Sequence, residues 1–434
     1  MKNTIGNSGF LHRMLLPMAG AFALYCSMYA FRKPFTAGVF EGLALWGIDY
    51  KILLISVQAL GYMLSKFIGI KIVSEMTPGR RAFTILFLIG FSWLSLFLFG
   101  IVPYSYSFIF LFLNGLPLGM IWGLVFSYLE GRRNTELLGA GMSASFIVSS
   151  GLVKSVGRYL IDVWQVDERW MPFATGLLFV PLLLLGLWML EKTPPPDAAD
   201  IAHRSARSRM DGTGRIAFFR SFGVGIVLVT VIYVALTIFR DIRDNFAVEI
   251  WTQLGHSSDV ARMLFWSEVP IAIVVFAVIA LMMYIRDNRT AFYANIAMVV
   301  VGGILLCGVT YLFEAGLLNS VAWMVFIGFS MYLSYISYHT MLFERWFAHF
   351  RCAGNLGFLM YLSDSFGYLG SVGVLFYKNF GEAATGWLPY LQATAYAVGA
   401  VAALFGLAAW VYFQAKEDKG IAISLEADDF EPLR

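Results

Sequence analysis

Two basic side chains, Arg32 and Lys33, stand side by side in the stretch Tyr25–Phe35, at the end of a long apolar run. A third, Arg240, follows Phe239 in a comparable run 208 positions later. A guanidinium facing hydrocarbon costs several kcal/mol, roughly 2.5 to 3.5 on insertion scales, so each must find water, an acid or an anionic ligand. Arginine keeps its proton, and its planar fork can grip two oxygens of a phosphate or carboxylate together. The chemistry on offer is anion binding. Lys66, Lys154 and Arg243 extend the basic set, and Lys154 shares a helix face with Arg158 four residues on. Facing acids are few: Glu268, Asp364, and Asp241 and Asp244 beside Arg240. Lys33 and Glu268 are candidates for a buried pair. Asp364 is either a counter-ion for Arg240 or Lys154, or a protonatable coupling group. Tyr29 and His339 could touch a solute or simply pack, as could Tyr25, Trp122, Tyr332 and Tyr338. The surplus of positive charge points to an anion rather than to a cation or a sugar.

The elements that must position these residues are set by composition. The chain has 434 residues, 59% hydrophobic and 14% charged, against about 25% charged in soluble domains. Apolar runs near the roughly 20 residues needed to cross a bilayer fall at 11–38, 50–73, 82–101, 105–129, 137–162, 170–190, 221–244, 262–285, 290–313, 319–343, 353–377 and 387–414. An all-α integral membrane protein of twelve transmembrane helices is expected. The first run lacks a small-residue cleavage site and reads as a retained helix. A polar break from Glu191 to Arg220, with Pro194-Pro195-Pro196, divides the chain into six-helix bundles at 1–190 and 221–414, a linker at 191–220 and a tail at 415–434.

Charge placement orients the spans. Loops after even-numbered spans and the two termini hold twenty lysines and arginines, among them Arg80, Arg81, Arg132, Arg133, Arg204, Arg207, Arg209 and Arg351. The alternate loops hold four: Lys51, Arg169, Arg262 and Lys378. This bias puts both termini in the cytoplasm. The Gly79-Arg80-Arg81 and Asp287-Asn288-Arg289 turns share the 208-residue offset of the arginine pair, as a parallel duplication with a site between its halves would require. Arg32 and Arg240 lie 19 and 20 residues beyond Arg13 and Arg220, or about 28 to 30 Å at 1.5 Å per residue. Taken literally, that height lets them snorkel to headgroups. Helices that start below the interface and tilt would bring them to the centre instead.

Together these residues resemble the organophosphate:phosphate antiporter branch of the major facilitator superfamily. The likeness is carried by Tyr25, Tyr29, Arg32, Lys33 and Phe35, by Ser65-Lys66-Phe67 with Gly69, Ser74, Glu75 and Arg80-Arg81, and by Gly119-Met120 with Trp122. Lys192-Thr193-Pro194, Ile327-Gly328-Phe329, His339 and Phe366-Gly367-Tyr368-Leu369-Gly370 continue it. The resemblance implies that Arg32 and Arg240 clamp a phosphoryl group, that Lys66 assists, and that Lys33 pairs with Glu268. Departures stand at Phe146, where the branch has histidine, at Ser149-Ser150-Gly151, at the added Lys154 and Arg158, at the densely charged Arg240–Asp244 segment, and at Pro34, expected to kink the first helix.

The function expected is alternating-access transport of a small organic anion, most simply a phosphorylated metabolite exchanged for phosphate. Proton-coupled organic-anion symport through Glu268 or Asp364, or a transporter-like sensor of sugar phosphates, are the alternatives. Partners are the solute and the lipid of a bacterial inner membrane, with no nucleic acid, obligate protein partner, cofactor or metal implied. Cys26, Cys307 and Cys352 have no metal-ligand spacing and read as buried apolar residues. No nucleophile elbow or paired metal motif suggests an enzyme.

Overall fold

Alternation of apolar runs with short polar turns leaves the backbone one way to satisfy its hydrogen bonds in lipid, the helix. The computed structural model describes residues 2–74, 76–129, 135–194, 212–282, 284–350, 356–381 and 385–418. Most of the expected 191–220 linker, nearly all of the tail, and Glu75, Arg132, Arg133, Arg351 and Cys352 lie outside these. The helices are α1 (Lys2–Ala30), α2 (Tyr50–Ser74), α3 (Arg81–Ile101), α4 (Tyr104–Leu118), α5 (Ile121–Leu129), α6 (Thr135–Asp162), α7 (Met171–Glu191) and α8 (Gly212–Asn245). They continue as α9 (Ala247–Gln253), α10 (Val260–Trp266), α11 (Glu268–Met282), α12 (Asn288–Glu314), α13 (Ser320–Ser337), α14 (Phe343–Phe350), α15 (Leu356–Gly381) and α16 (Trp387–Asp418).

These positions match the apolar runs closely. The run at 105–129 is broken into α4 and α5 at Gly119-Met120, and that at 262–285 into α10 and α11 at Ser267. The run at 319–343 is α13 plus a π-helical turn, Tyr338–Leu342. Among the described residues, nine stretches are long and apolar enough to cross a membrane. Those of α1, α6 and α15 fall short. α6 carries Lys154, Arg158 and five serines, and α15 carries Asp364 and Lys378.

The chain groups into two compact units. The first comprises Met1–Arg204, Asp241–Phe276 and Ser371–Leu391. Within it α1 packs on α6 and α7, α2 and α3 on α4, and α6 on α10. Small residues permit the close approaches. A Cβ on Gly119 would lie 2.7 Å from Ser65 Cβ, and Gly115 abuts the Gln58 carbonyl in the same way. Gly151 of α6 similarly admits the Leu264 backbone of α10. The second unit comprises Ser205–Arg240, Ala277–Gly370 and Gln392–Arg434. In it α12 packs on α13 and α14, and Gly367 and Gly370 lie against Thr237 and Val234 of α8. Asp287 caps α12: its Oδ2 accepts from Thr290 N and Oγ1 at 2.7 and 2.6 Å, which holds its carboxyl below the usual range.

Pro34 ends α1 rather than kinking it. With no N–H to offer and a ring that crowds the preceding turn, it opens a 3-10 turn, Pro34–Ala37, and α1 stops at Ala30. The Phe31 and Arg32 carbonyls are taken up by other helices. Asn114 Nδ2 donates to Phe31 O at 2.8 Å, and Gln58 Nε2 to Arg32 O at 2.9 Å. Gln58 also donates to Asn114 Oδ1 at 2.8 Å, and Asn114 to Ser92 Oγ at 2.6 Å, all buried. Beyond the turn, the Glu168 carboxylate accepts from the Val39 and Phe40 amides at 2.8 Å each. A two-residue hairpin (Ala44–Leu45 with Ile48–Asp49) leads into α2, where Asp49 accepts from Ile52 N at 3.1 Å. Lys51 and Lys378, read from the sequence as loop cations, are buried helix residues.

Asn114→Leu keeps the volume but removes the amide that holds the end of α1. It is expected to destabilise the protein by about 1–3 kcal/mol, seen as a lower thermal midpoint of detergent-solubilised protein. An unchanged midpoint would show that something else holds that end.

Candidate functional site

In the first unit, three segments meet on one carboxylate. Lys33 lies just past α1, Ser150 and Lys154 lie one turn apart on α6, and Asp244 closes the last turn of α8. Asp244 Oδ2 is 2.6 Å from Lys33 Nζ, and its Oδ1 is 2.6 Å from Lys154 Nζ and accepts from Ser150 Oγ at 2.5 Å. Lys154 also donates to the Asp244 carbonyl, and Lys33 to Asn245 Oδ1, both at 2.8 Å. Lys33 and Lys154 are almost wholly enclosed. A buried ion loses several kcal/mol of hydration, recovered only through good geometry and complete hydrogen bonding. Here each lysine has two acceptors. Arg32 and Asp241 are close enough to act on the Lys33 ammonium, one repelling and the other attracting it.

Arg32 is turned to α2. Its guanidinium carbon lies 3.7 Å from the centre of the Tyr62 ring, and Lys66 Nζ lies 5.4 Å from that centre. Two cations thus share one aromatic ring, a favourable but modest contact worth about 0.5–2 kcal/mol per cation. Tyr29 is buried and meets Tyr25 edge to face at 5.6 Å. The Lys33–Glu268 pair expected from the sequence is absent: Glu268 instead binds Arg243, Nη2 to Oε1 at 2.9 Å. Gly151 stands against Glu268 Cγ, so it is the missing side chain there that lets α6 approach this pair. Arg158 pairs with Asp162 one turn on, at 2.7 Å and partly exposed.

In the second unit Arg240 begins a chain of hydroxyls. Its Nη1 donates to the Tyr335 hydroxyl, which lies 3.0 Å from that of Tyr233, and Tyr233 donates to Asp364 Oδ1. The guanidinium also lies 4.8 Å from the centre of the Tyr335 ring, and the two tyrosine rings stack at 5.3 Å. Asp364 is therefore linked to Arg240 through phenols, while Lys154 takes Asp244. His339 falls in the π-helical turn, and its side chain lies outside the described residues. Tyr338 of that turn meets Tyr233 edge to face.

Sequence reading missed several members. Asp244 appeared only as a neighbour of Arg240, although its i, i+3 spacing from Asp241 was a signal that both carboxylates share one helix face. Tyr62, Tyr233 and Tyr335 carry no pattern that separates them from packing tyrosines. Lys51 forms a buried pair with Glu249 at 2.5 Å; burial pushes the Glu249 carboxyl up, and the lysine opposes that rise.

A model of DUF5690, described as a family of unknown function, matches residues 34–416. No curated protein matches the sequence. Among solved structures, a D-xylose-proton symporter is similar over 92% of this chain and 97% of its own, with a TM-score of 0.58 and 16% identity. The human organic anion transporter MFSD10 (TETRAN) is similar over 92% and 99%, with a TM-score of 0.56 and 15% identity. The fold is that of the major facilitator superfamily, as the sequence led us to expect.

Asp244→Asn leaves two buried ammonium groups facing a neutral amide. It is expected to lower stability by about 3–5 kcal/mol. Adding Lys154→Met to Asp244→Asn should restore part of that loss. Equal midpoints for the single and double variants in thermal unfolding would contradict the shared pairing.

Proposed function

This chain belongs to that family of unknown function, DUF5690, and we propose that it is a secondary transporter of a small organic anion working by alternating access. The observation that carries the reading is the gathering of cations at the end of α1. Around the end of α1, Lys33 and Lys154 share Asp244, Asp241 acts on Lys33, and Arg32 and Lys66 lie over the Tyr62 ring. Arg243 is paired with Glu268. Two cations brought to one ring favour an anion over a neutral sugar, since each can give it a charge-assisted hydrogen bond. Arg32 and Lys66, brought to one tyrosine, are the donors we assign to the solute. Lys33, Lys154 and Arg243 hold the frame.

The finer reading follows the sequence. The solute is a phosphorylated metabolite exchanged for inorganic phosphate, and Tyr29, Arg240 and His339 are the further candidates that the sequence offers. Of the similar structures, one is an organic anion transporter and the other a proton symporter. The bundles run over 1–190 and 221–414, and both termini lie on the cytoplasmic face of a bacterial inner membrane. The asymmetry of lysines and arginines supports this orientation. It grows once Lys51 and Lys378 are removed from the minority loops as buried residues.

Phosphorylated metabolites and inorganic phosphate should raise the thermal midpoint of the purified protein. A ligand at a hundredfold excess over its Kd adds about 2.7 kcal/mol. Arg32→Ala should abolish the rise. A ligand that stabilises both forms equally removes Arg32 from the site. Counterflow in proteoliposomes separates a carrier from a sensor, which would bind without exchange.

A further inference from the structure

We propose that His349 is an acid-sensing clasp: once protonated, its imidazole binds the Glu417 carboxylate, ties the end of α14 to the end of α16, and slows the carrier. The slowing rests on the anion-transport reading, whereas the contact itself does not.

Every group involved lies in the second unit. Glu417, in the last turn of α16, holds two partners from the start of α12. Its Oε1 is 2.6 Å from Arg289 Nε, and its Oε2 accepts from the Tyr293 hydroxyl at 3.0 Å. His349, in the last turn of α14, brings Nε2 to 3.8 Å from that same Oε1. The gap is too long for a hydrogen bond, and Nε2 is buried with no hydrogen-bond partner among the described residues. A neutral imidazole therefore offers the carboxylate either a lone pair, which it repels, or an N–H that stops short. A proton removes both defects. The cation is drawn to Oε1, and an approach of about 1 Å completes a charge-assisted bond, whose usual length is about 2.7–2.9 Å.

Aromatic neighbours hold the ring in place. It stacks on Phe292 at 5.9 Å and meets Tyr293 and Phe350 edge to face at 6.1 and 4.7 Å. The Phe292 face accepts a cation as readily as a neutral ring. Charged and titratable groups come from two sides: Asp287, Arg289 and Tyr293 from α12 and its cap, and Glu417 and Asp418 from α16. Lys416 is turned to the Tyr412 ring. On α14 itself stand Glu344 and Arg345, the latter bonded to Asn288 Oδ1 at 2.8 Å. The π-helical turn meets α14 through Tyr338 on Phe343, and α8 meets it through Phe218 and Phe222 on Trp346 and Phe350. Of these groups, histidine is the one that ordinarily changes charge between about pH 5 and 8. On the orientation proposed above, these helix ends face the cytosol. The clasp joins three of them, so a transport step that parts them must break it first.

The test uses the purified full chain. Thermal midpoints are measured at about pH 5.5 and about pH 8.5, either side of the usual imidazole value of about 6.5. The contact forms in the folded, protonated chain alone, so its stabilisation is present at the acid value and lost at the alkaline one. The wild type should stand a few degrees above His349→Gln in acid and level with it in alkali. In a Glu417→Gln background, which keeps the imidazole and removes the carboxylate, His349→Gln should make no acid-specific difference. Inorganic phosphate counterflow in proteoliposomes, with equal pH on both sides, should be roughly two- to fivefold slower in the wild type than in His349→Gln in acid, or about 0.4 to 1 kcal/mol on the barrier, and equal in alkali. Midpoints of wild type and His349→Gln that run parallel across pH overturn the clasp. Midpoints that diverge in acid while counterflow rates stay equal overturn its effect on transport. Absence of phosphate counterflow in the wild type overturns the anion-transport reading and the slowing with it, and the midpoints still decide the contact.

Discussion

One carboxylate shared by two lysines is the constraint on which the first unit is built. Asp244 draws the end of α1, the middle of α6 and the end of α8 to one point. Ion pairs of this kind contribute little net stability compared with apolar packing of the same volume, since dehydration of the charges consumes most of the attraction. They are costly to break, however, and therefore specify which segments stay together. The other buried cations fall into place around this point. Arg243 and Glu268 pair beside Gly151, and Arg32 is directed to the Tyr62 ring.

Close approach of backbones makes these polar contacts possible. Gly115 and Gly119 bring α4 onto α2, and Gly151 brings α10 onto α6, as small residues do where lipid gives no hydrophobic drive to helix association. The polar residues then act over the short distances that result. Asn114 reaches both Phe31 O and Ser92 Oγ because α4 lies deep among its neighbours. The second unit repeats the logic with Gly367 and Gly370 against α8, beside the hydroxyl chain that runs from Arg240 to Asp364.

Twelve apolar runs were readable because lipid imposes one length and one backbone solution, and the breaks at Gly119-Met120 and Ser267 fell inside runs already delimited. The buried cations Arg32, Lys33, Lys154 and Arg243 were readable for the same reason: a lysine or arginine within such a run always calls for an explanation. What the sequence concealed was partnership. Lys33 chose Asp244 over Glu268, and nothing in the spacing distinguishes the two acids, since that choice depends on where α8 and α11 place their ends in three dimensions. The phenols of Tyr62, Tyr233 and Tyr335 were equally hidden. A tyrosine that packs and one that relays a hydrogen bond look the same until its hydroxyl has an address.

The amide pair at Gln58 and Asn114 has an evolutionary corollary. Those side chains serve carbonyls that a proline at position 34 releases from the helix. Descent should therefore treat the three positions as one inherited unit. Lineages that exchange the imino acid for a residue with an N–H can let the first helix run on, and selection on both amides then relaxes. Lineages that keep it hold all three.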